Sequence, residues 1–157
     1  MLFRSEYSKR TRIMPLQVHR ITSSTDFEKF VGIQIAAFAN GGGITSLLTP
    51  SPITDEYIQK SIGKHVKSWS EEKDVIYLKV IDTDLDGKMI AVAKWRINEQ
   101  ERSEEEAKKM YPVPDEQDKG QQGLLDFMAF LSRVRKEYMG TKPFYCQCPA
   151  KYAEMIC

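Results

Sequence analysis

The chain has 157 residues, the size of a single domain. Apolar residues make up 41% of the sequence and charged residues 29%, which is the composition of a globular protein rather than a disordered one. The 23 basic and 22 acidic residues leave a net charge of +1, so the charge gives no indication of nucleic acid or an anionic membrane as a partner. No apolar run approaches the ~20 residues of a membrane helix, and we therefore expect no membrane association.

The first segment, residues 1–14, carries four basic side chains and one acid. A basic, acid-poor start is typical of a mitochondrial targeting segment and also of a disordered tail. We predict a disordered tail on a cytoplasmic protein, with mitochondrial targeting as the alternative.

Apolar patterning predicts both strands and helices. Runs of β-branched and aromatic residues predict strands at 16–22, 75–81, 89–97 and 143–148. Apolar residues spaced three and four apart predict helices at 26–39, 55–69 and 124–139. The turn signal Asp86-Gly87 predicts an antiparallel hairpin between the second and third strands. Together these elements predict an α/β fold with a mixed, largely antiparallel sheet flanked by helices, and Trp69 and Trp95 fit positions in its core.

One internal segment has a different character. Residues 98–123 hold eight acids, four bases, two prolines and two glycines. Because such a composition offers little apolar surface, we predict an acidic mobile insertion near 98–120, or a frayed helix and loop, that is too polar to be buried.

Two residue groups can be interpreted either as ligand-binding sites or as ordinary turns. Asp82, Asp84 and Asp86 match the opening of a calcium loop, but the twelfth position is Ala93 and strands flank the loop, which favours a solvated hairpin. The run 41–43 is all glycine but follows a helix rather than a strand, which favours a flexible turn over a phosphate loop.

The cysteines Cys146, Cys148 and Cys157 all lie near the end of the chain. Structural zinc sites have four ligands with wider spacing. A thiolate nucleophile needs a base, and no sequence feature links His19 or His65 to a cysteine. We predict that Cys146 and Cys148 are free thiols, buried or half-buried, in a reducing compartment with no metal site, and the role of the three cysteines stays open.

The order of the predicted elements resembles the N-terminal portion of the GNAT N-acetyltransferase superfamily, in particular its small fungal members. MPLQVHRIT is similar to the first strand and TDFEKFVGIQIAAFA to the first helix. VIYLKVIDTDLDGKMIAVAKWRI resembles the second and third strands, and LLDFMAFLSRVRKEYMGTKPFYCQC the helix and opening of the fourth. The resemblance covers about residues 14–147.

This resemblance implies a GNAT-like acyl-CoA N-acyltransferase fold. In complete relatives, acetyl-CoA is the cofactor and donates its acetyl group to an amine or other small-molecule substrate. Their fourth strand leads into a glycine-rich turn of the form Q/R-x-x-G-x-G/A, which holds the acetyl-CoA pyrophosphate, whereas the last glycine here is Gly140. We therefore expect a truncated GNAT-like domain at 15–148 and a divergent tail at 149–157.

For this chain we assign no catalytic residue and expect no bound cofactor. The first functional hypothesis is a GNAT-like N-acetyltransferase that is truncated and inactive in this form. The alternatives are a non-catalytic interaction module or pseudoenzyme, and a gene-model or splicing product without its own activity. An unpaired edge at the fourth strand would recruit another chain, so we also expect self-association through that sheet edge.

Overall fold

The computed structural model describes residues 15–38, 51–114 and 120–148. The predicted tails at 1–14 and 149–157 and the glycine turn at 41–43 lie outside these residues. Within these ranges, four strands and four helices follow one another: β1 (Leu16–Arg20), α1 (Asp26–Phe38), α2 (Asp55–Glu71), β2 (Val75–Asp82), β3 (Lys88–Asn98), α3 (Glu104–Lys108), α4 (Gln122–Val134) and β4 (Phe144–Cys148).

The four strands form one sheet in the order β1-β2-β3-β4, and each neighbouring pair is antiparallel. Val18 lies opposite Val80, Leu78 opposite Ala93, and Trp95 opposite Gln147. The α/β class and the largely antiparallel sheet flanked by helices are thus confirmed.

The β2–β3 hairpin also confirms its prediction. A 3-10 turn at Thr83–Leu85 leads to Asp86 and Gly87, both with positive φ (52° and 73°), so the Asp-Gly pair supplies the left-handed backbone that reverses the chain. The Asp82 carboxylate accepts a hydrogen bond from the Asp84 backbone N–H at 2.9 Å, so it caps this turn.

The helices α1 and α2 cover one face of the sheet. The Thr54 hydroxyl accepts from the backbone N–H of Tyr57 at 3.2 Å and so starts α2. Beneath the two helices lies the main core, which contains Ile21, Phe27, Phe30, Val31, Val75 and Tyr77.

The acidic segment between β3 and β4 is more structured than its composition indicates. Ser103 and Glu106 form a capping box at the start of α3, and Ala107 and Met110 are buried. The expectation that this segment is too polar to be buried is therefore wrong for these two residues, while its mobility stays a prediction. Residues 115–119 lie outside the description.

The last helix is a composite. Leu124 and Met128 on α4 form a second small hydrophobic cluster with Phe127. After Val134 the helix widens into a π-helical turn, Arg135–Met139, and ends at Gly140, whose φ is 47°. This widened turn was not predicted, since nothing in the apolar spacing of 124–139 distinguishes it from α-helix.

Candidate functional site

A group of buried polar side chains lies between the sheet and the helices α1 and α2. We call it the polar cluster; its members are all less than 10% exposed and are Gln34, His65, Ser68, Tyr77 and Lys94. Polar groups at this depth must be hydrogen-bonded to be tolerated, so their partners define what the cluster does.

His65 connects a helix and a strand within the polar cluster. Its Nδ1 lies 3.0 Å from the Tyr77 hydroxyl, and its Nε2 lies 3.2 Å from the Gln34 Oε1 atom. Since an amide oxygen can only accept, Nε2 is the donor in that contact. Phe30 and Phe27 flank the imidazole, with ring centroids 5.0 and 6.3 Å away. The contacts therefore fix α1, α2 and β2 relative to one another.

Lys94 forms the other half of the polar cluster. Its Nζ donates to the Ser68 hydroxyl at 2.7 Å and lies 5.3 Å from the centroid of the Tyr77 ring, a cation–π distance. Serine beside lysine is an arrangement that some hydrolases use for nucleophilic attack. Here the serine is only 4% exposed and the lysine 1%, so a substrate carbonyl has no access to the hydroxyl. The polar cluster therefore serves to orient the helices on the sheet.

A second polar group lies where β3 meets the segment from α3 to β4. Arg96 donates to Asp74 at 2.7 Å and also to Glu72. Arg102 donates to the Gly140 carbonyl oxygen at 2.6 Å, and its guanidinium lies 4.7 Å from the centroid of the Phe144 ring. These contacts hold the segment after β3 against the start of β4.

Arg135 lies on the π-helical turn. We call Arg96, Arg102 and Arg135 together the arginine group. Arg135 donates to the Met110 carbonyl and is 3% exposed. Burial, and then the positive charge of Arg96, lower its pKa to about 10. Burial and the same arginine also lower the pKa of Arg102, which the carboxylates of Asp74 and Glu106 partly offset.

The sheet face opposite α1 and α2 is largely apolar. Residues directly opposite one another in the strand register share a face, which assigns its side chains. We call this the open face; its apolar members are Leu16, Val18, Ile76, Leu78, Val80, Ala91, Ala93, Trp95, Ile97 and Tyr145.

No member of the open face is buried, although most of them are apolar. Val18 is 67% exposed and Tyr145 66% exposed, and these two lie on opposite margins of the sheet. Neither of the two hydrophobic clusters found among the described residues contains a side chain of this face. Trp95, predicted to lie in the core, is on this half-exposed surface instead.

The residues singled out in the sequence are not brought together. His19 is exposed on β1 and contacts Gln17, whereas His65 is buried in the core. Over the ranges 15–38, 51–114 and 120–148 the structure contains no group of three or more potential metal ligands, the Asp82–Asp86 turn included.

Cys146 is disulfide-bonded, so the prediction of free thiols is wrong for this residue. The cysteines then no longer argue for a reducing compartment. The side chain of Cys148 and all of Cys157 lie outside the part of the chain that the structure describes.

The described residues do not fit an acetyl-CoA pyrophosphate. Such a group binds at a helix N-terminus that directly follows a strand. The first turns of α1, α2 and α3 carry acids, whose charge disfavours a phosphate there. The helix α4 has no acid in its first turn, but the described element that precedes it is the helix α3 rather than a strand.

Comparisons with protein-family models, curated proteins and solved structures find no match for this chain. None of the helices in the described ranges is long and apolar enough to cross a membrane.

The polar cluster was missed by the sequence reasoning, although it left a signal. His65 and Ser68 are three residues apart on the apolar side of α2, and Lys94 sits within a strand at the inward position after Val92. A polar residue at an inward position in an apolar pattern is the mark of a buried polar group, and it needs partners that only the fold identifies.

Proposed function

We propose that this chain is a GNAT-like module that acts by binding through the open face and does not transfer acetyl groups by itself. The observation that carries the proposal is the open face, a four-stranded apolar surface on which no side chain is buried. Monomeric soluble proteins rarely leave large contiguous apolar patches exposed, and such patches mark interaction sites.

The buried state of the polar cluster and of the arginines supports binding over catalysis. Ser68, Lys94 and His65 are buried and engaged in hydrogen bonds. The arginine group is occupied by Glu72, Asp74 and backbone carbonyls. Residues 149–157, which follow β4, contain no glycine of the kind that the resemblance to the GNAT superfamily places in a phosphate turn.

A second candidate function is acetyl transfer from acetyl-CoA to an amine. The element order favours it: strand, two helices, an antiparallel hairpin, a helix-containing segment and a fourth strand occur in the order on which the resemblance to the GNAT superfamily rests. This order supports a GNAT-like architecture and leaves the activity as a proposal.

Titration calorimetry of the 157-residue chain with acetyl-CoA, with CoA as the matched control ligand, separates the two candidates. Release of CoA is then followed in the presence of small primary amines and a lysine-containing peptide. The binding module predicts no saturable heat and no CoA release above the rate without protein. Micromolar binding of acetyl-CoA with amine-dependent CoA release would establish acetyl transfer and refute the proposal.

A further inference from the structure

The shape of the open face restricts what can cover it. Four strands about 4.8 Å apart, with five residues each at about 3.3 Å per residue, give a surface of about 19 by 17 Å. A helix of about 10 Å diameter covers only half of this width. A second sheet covers all of it, at the ~10 Å separation of stacked sheets. Two such faces total about 650 Å² of projected area, which is below the roughly 1,200 Å² of a standard interface, so the partner is held in a weak, concentration-dependent complex.

The charges favour a second copy of this chain as that partner. A net charge of +1 means that two copies do not repel one another. On the open face, Arg20 and Asp82 lie at opposite ends of the margin formed by β1 and β2, because Arg20 is opposite Leu78 and Asp82 is opposite Leu16. The margin is therefore polar at both ends with opposite sign, and apolar between them.

Two copies can be placed face to face and related by a twofold axis that lies between the sheets and runs perpendicular to the strands, so that each contact occurs twice. This placement sets β1 of one copy against β1 of the other in the reverse direction, so Arg20 of each copy meets Asp82 of the other and Val18 meets its own copy. Lys88 lies opposite Asp82 in the hairpin and weakens this pairing, so the charges set the orientation and the apolar side chains supply the affinity.

We propose that two copies of this chain associate face to face through the open face, forming a two-layer sheet sandwich with Val18 near its centre line. The proposal rests on the proposed function, since it names the partner of the same surface. It differs from pairing through the β4 edge, because Val18 lies on the opposite margin of the sheet from β4.

Sedimentation analysis over a dilution series tests the proposal with three variants of one strand. Val18→Asp places a carboxylate in the interface and should weaken the dimer by at least about tenfold, because a buried unpaired charge is costly. Val18→Thr keeps the strand propensity and shape and should weaken it less. His19→Asp is the matched control: it makes the same new side chain at the next residue, whose side chain is exposed on the other face, and should leave the dimer intact.

The outcomes separate the alternatives. Equal loss of the dimer in Val18→Asp and His19→Asp, both folded by circular dichroism, would show pairing through the β1 edge and overturn the proposal. A dimer that survives Val18→Asp would place the contact elsewhere, as at β4. A wild-type chain that stays monomeric throughout would refute self-association, while acetyl-CoA titration still decides the proposed function independently.

Discussion

Tyr77 joins the two halves of the polar cluster at the residue scale. Its hydroxyl meets His65 Nδ1 at 3.0 Å, and its ring lies beneath the Lys94 ammonium group. It is 2% exposed, so water does not replace a lost contact. Loss of the Tyr77 hydroxyl would therefore leave His65 Nδ1 without this buried hydrogen bond.

Tyr77→Phe removes this hydroxyl alone. We expect the free energy of unfolding to fall by about 1–3 kcal/mol, because the His65 nitrogen loses that partner in a buried site. Tyr138→Phe makes the same change at a tyrosine that is 69% exposed and should alter stability by less than about 0.5 kcal/mol. Urea unfolding followed by circular dichroism measures both, and equal effects would mean that the polar cluster does not stabilise the fold.

Asp74 is the carboxylate that balances the arginine group. Besides Arg96, it accepts from the Asn98 side-chain amide at 3.4 Å, and its charge acts on Arg102. We expect Asp74→Asn to lower the free energy of unfolding by roughly 1–3 kcal/mol, since the change weakens a charge-assisted hydrogen bond at a half-buried site. Glu71→Gln, an exposed change nearby, is the control in the same urea assay. A smaller loss for Asp74→Asn than for Glu71→Gln would contradict this account.

For single residues, the sequence predicts contacts with near neighbours better than contacts with residues distant in sequence. Thr54 caps α2 by accepting from the backbone N–H of Tyr57, a contact that depends on nearest neighbours alone. Lys94 and His65 were not recognised as buried partners, and Cys146 was expected to be free. Each of these depends on a residue distant in sequence, and the single-sequence pattern contains no information about that distance.

Among the secondary-structure elements, two glycines differ in whether they tolerate a side chain. Gly63 lies inside α2 with nothing within 4 Å of an added Cβ atom. Gly140 joins the π-helical turn to the approach to β4 with φ 47°, and an added Cβ atom would lie 3.3 Å from the Lys136 carbonyl oxygen. The first position tolerates a side chain, and the second opposes one.

We therefore expect Gly63→Ala to raise the free energy of unfolding by about 0.5–1 kcal/mol, through better helix propensity. Gly140→Ala should lower it by about 1–3 kcal/mol, because an L residue is strained at that backbone conformation. Thermal and urea unfolding of the two variants provide the comparison. A gain in stability for Gly140→Ala would contradict the assigned backbone at Gly140, and a loss for Gly63→Ala would contradict the open surroundings of Gly63.

The capping box of α3 should make this helix sensitive to acid. The Ser103 backbone N–H donates to the Glu106 carboxylate at 3.0 Å and its hydroxyl at 3.1 Å, and these bonds lower the pKa of Glu106. Because the folded pKa lies below the unfolded one, the stabilisation is complete above the unfolded pKa and is lost as the pH falls through the folded pKa.

Ser103→Ala should therefore raise the pKa of Glu106, measured by NMR titration of its side-chain carboxyl carbon. Ser70→Ala, at an exposed serine on α2, should leave that titration unchanged. An unaltered Glu106 titration in Ser103→Ala would show that the capping box does not form in solution.

The elements were predictable where their signals are local. The β2–β3 hairpin follows from two β-branched runs around Asp-Gly, and α1, α2 and α4 follow from apolar spacing. The bounds of the helix α3 were not predicted, because its stability depends on Ala107 and Met110 being covered by residues elsewhere in the chain. Local sequence patterns do not show which side chains are buried by residues distant in sequence.

At the scale of the whole molecule, alternation along the strands assigns side chains to two faces but does not say which face is covered. Val18 and Trp95 have the same parity as other apolar residues and would suit a core. The structure instead places α1 and α2 on the other face, over Tyr77 and Lys94. We propose that the open face, which these two helices leave uncovered, is the surface through which the chain binds.

Hydroxyl-radical footprinting, read by mass spectrometry at low and high protein concentration, tests that claim most directly. Val18 and Tyr145 should be labelled rapidly in the dilute chain and several-fold more slowly at high concentration, whereas the buried Tyr77 and Phe27 should resist labelling in both. Labelling of Val18 and Tyr145 at one constant rate across the concentrations where the chain becomes dimeric would contradict the account.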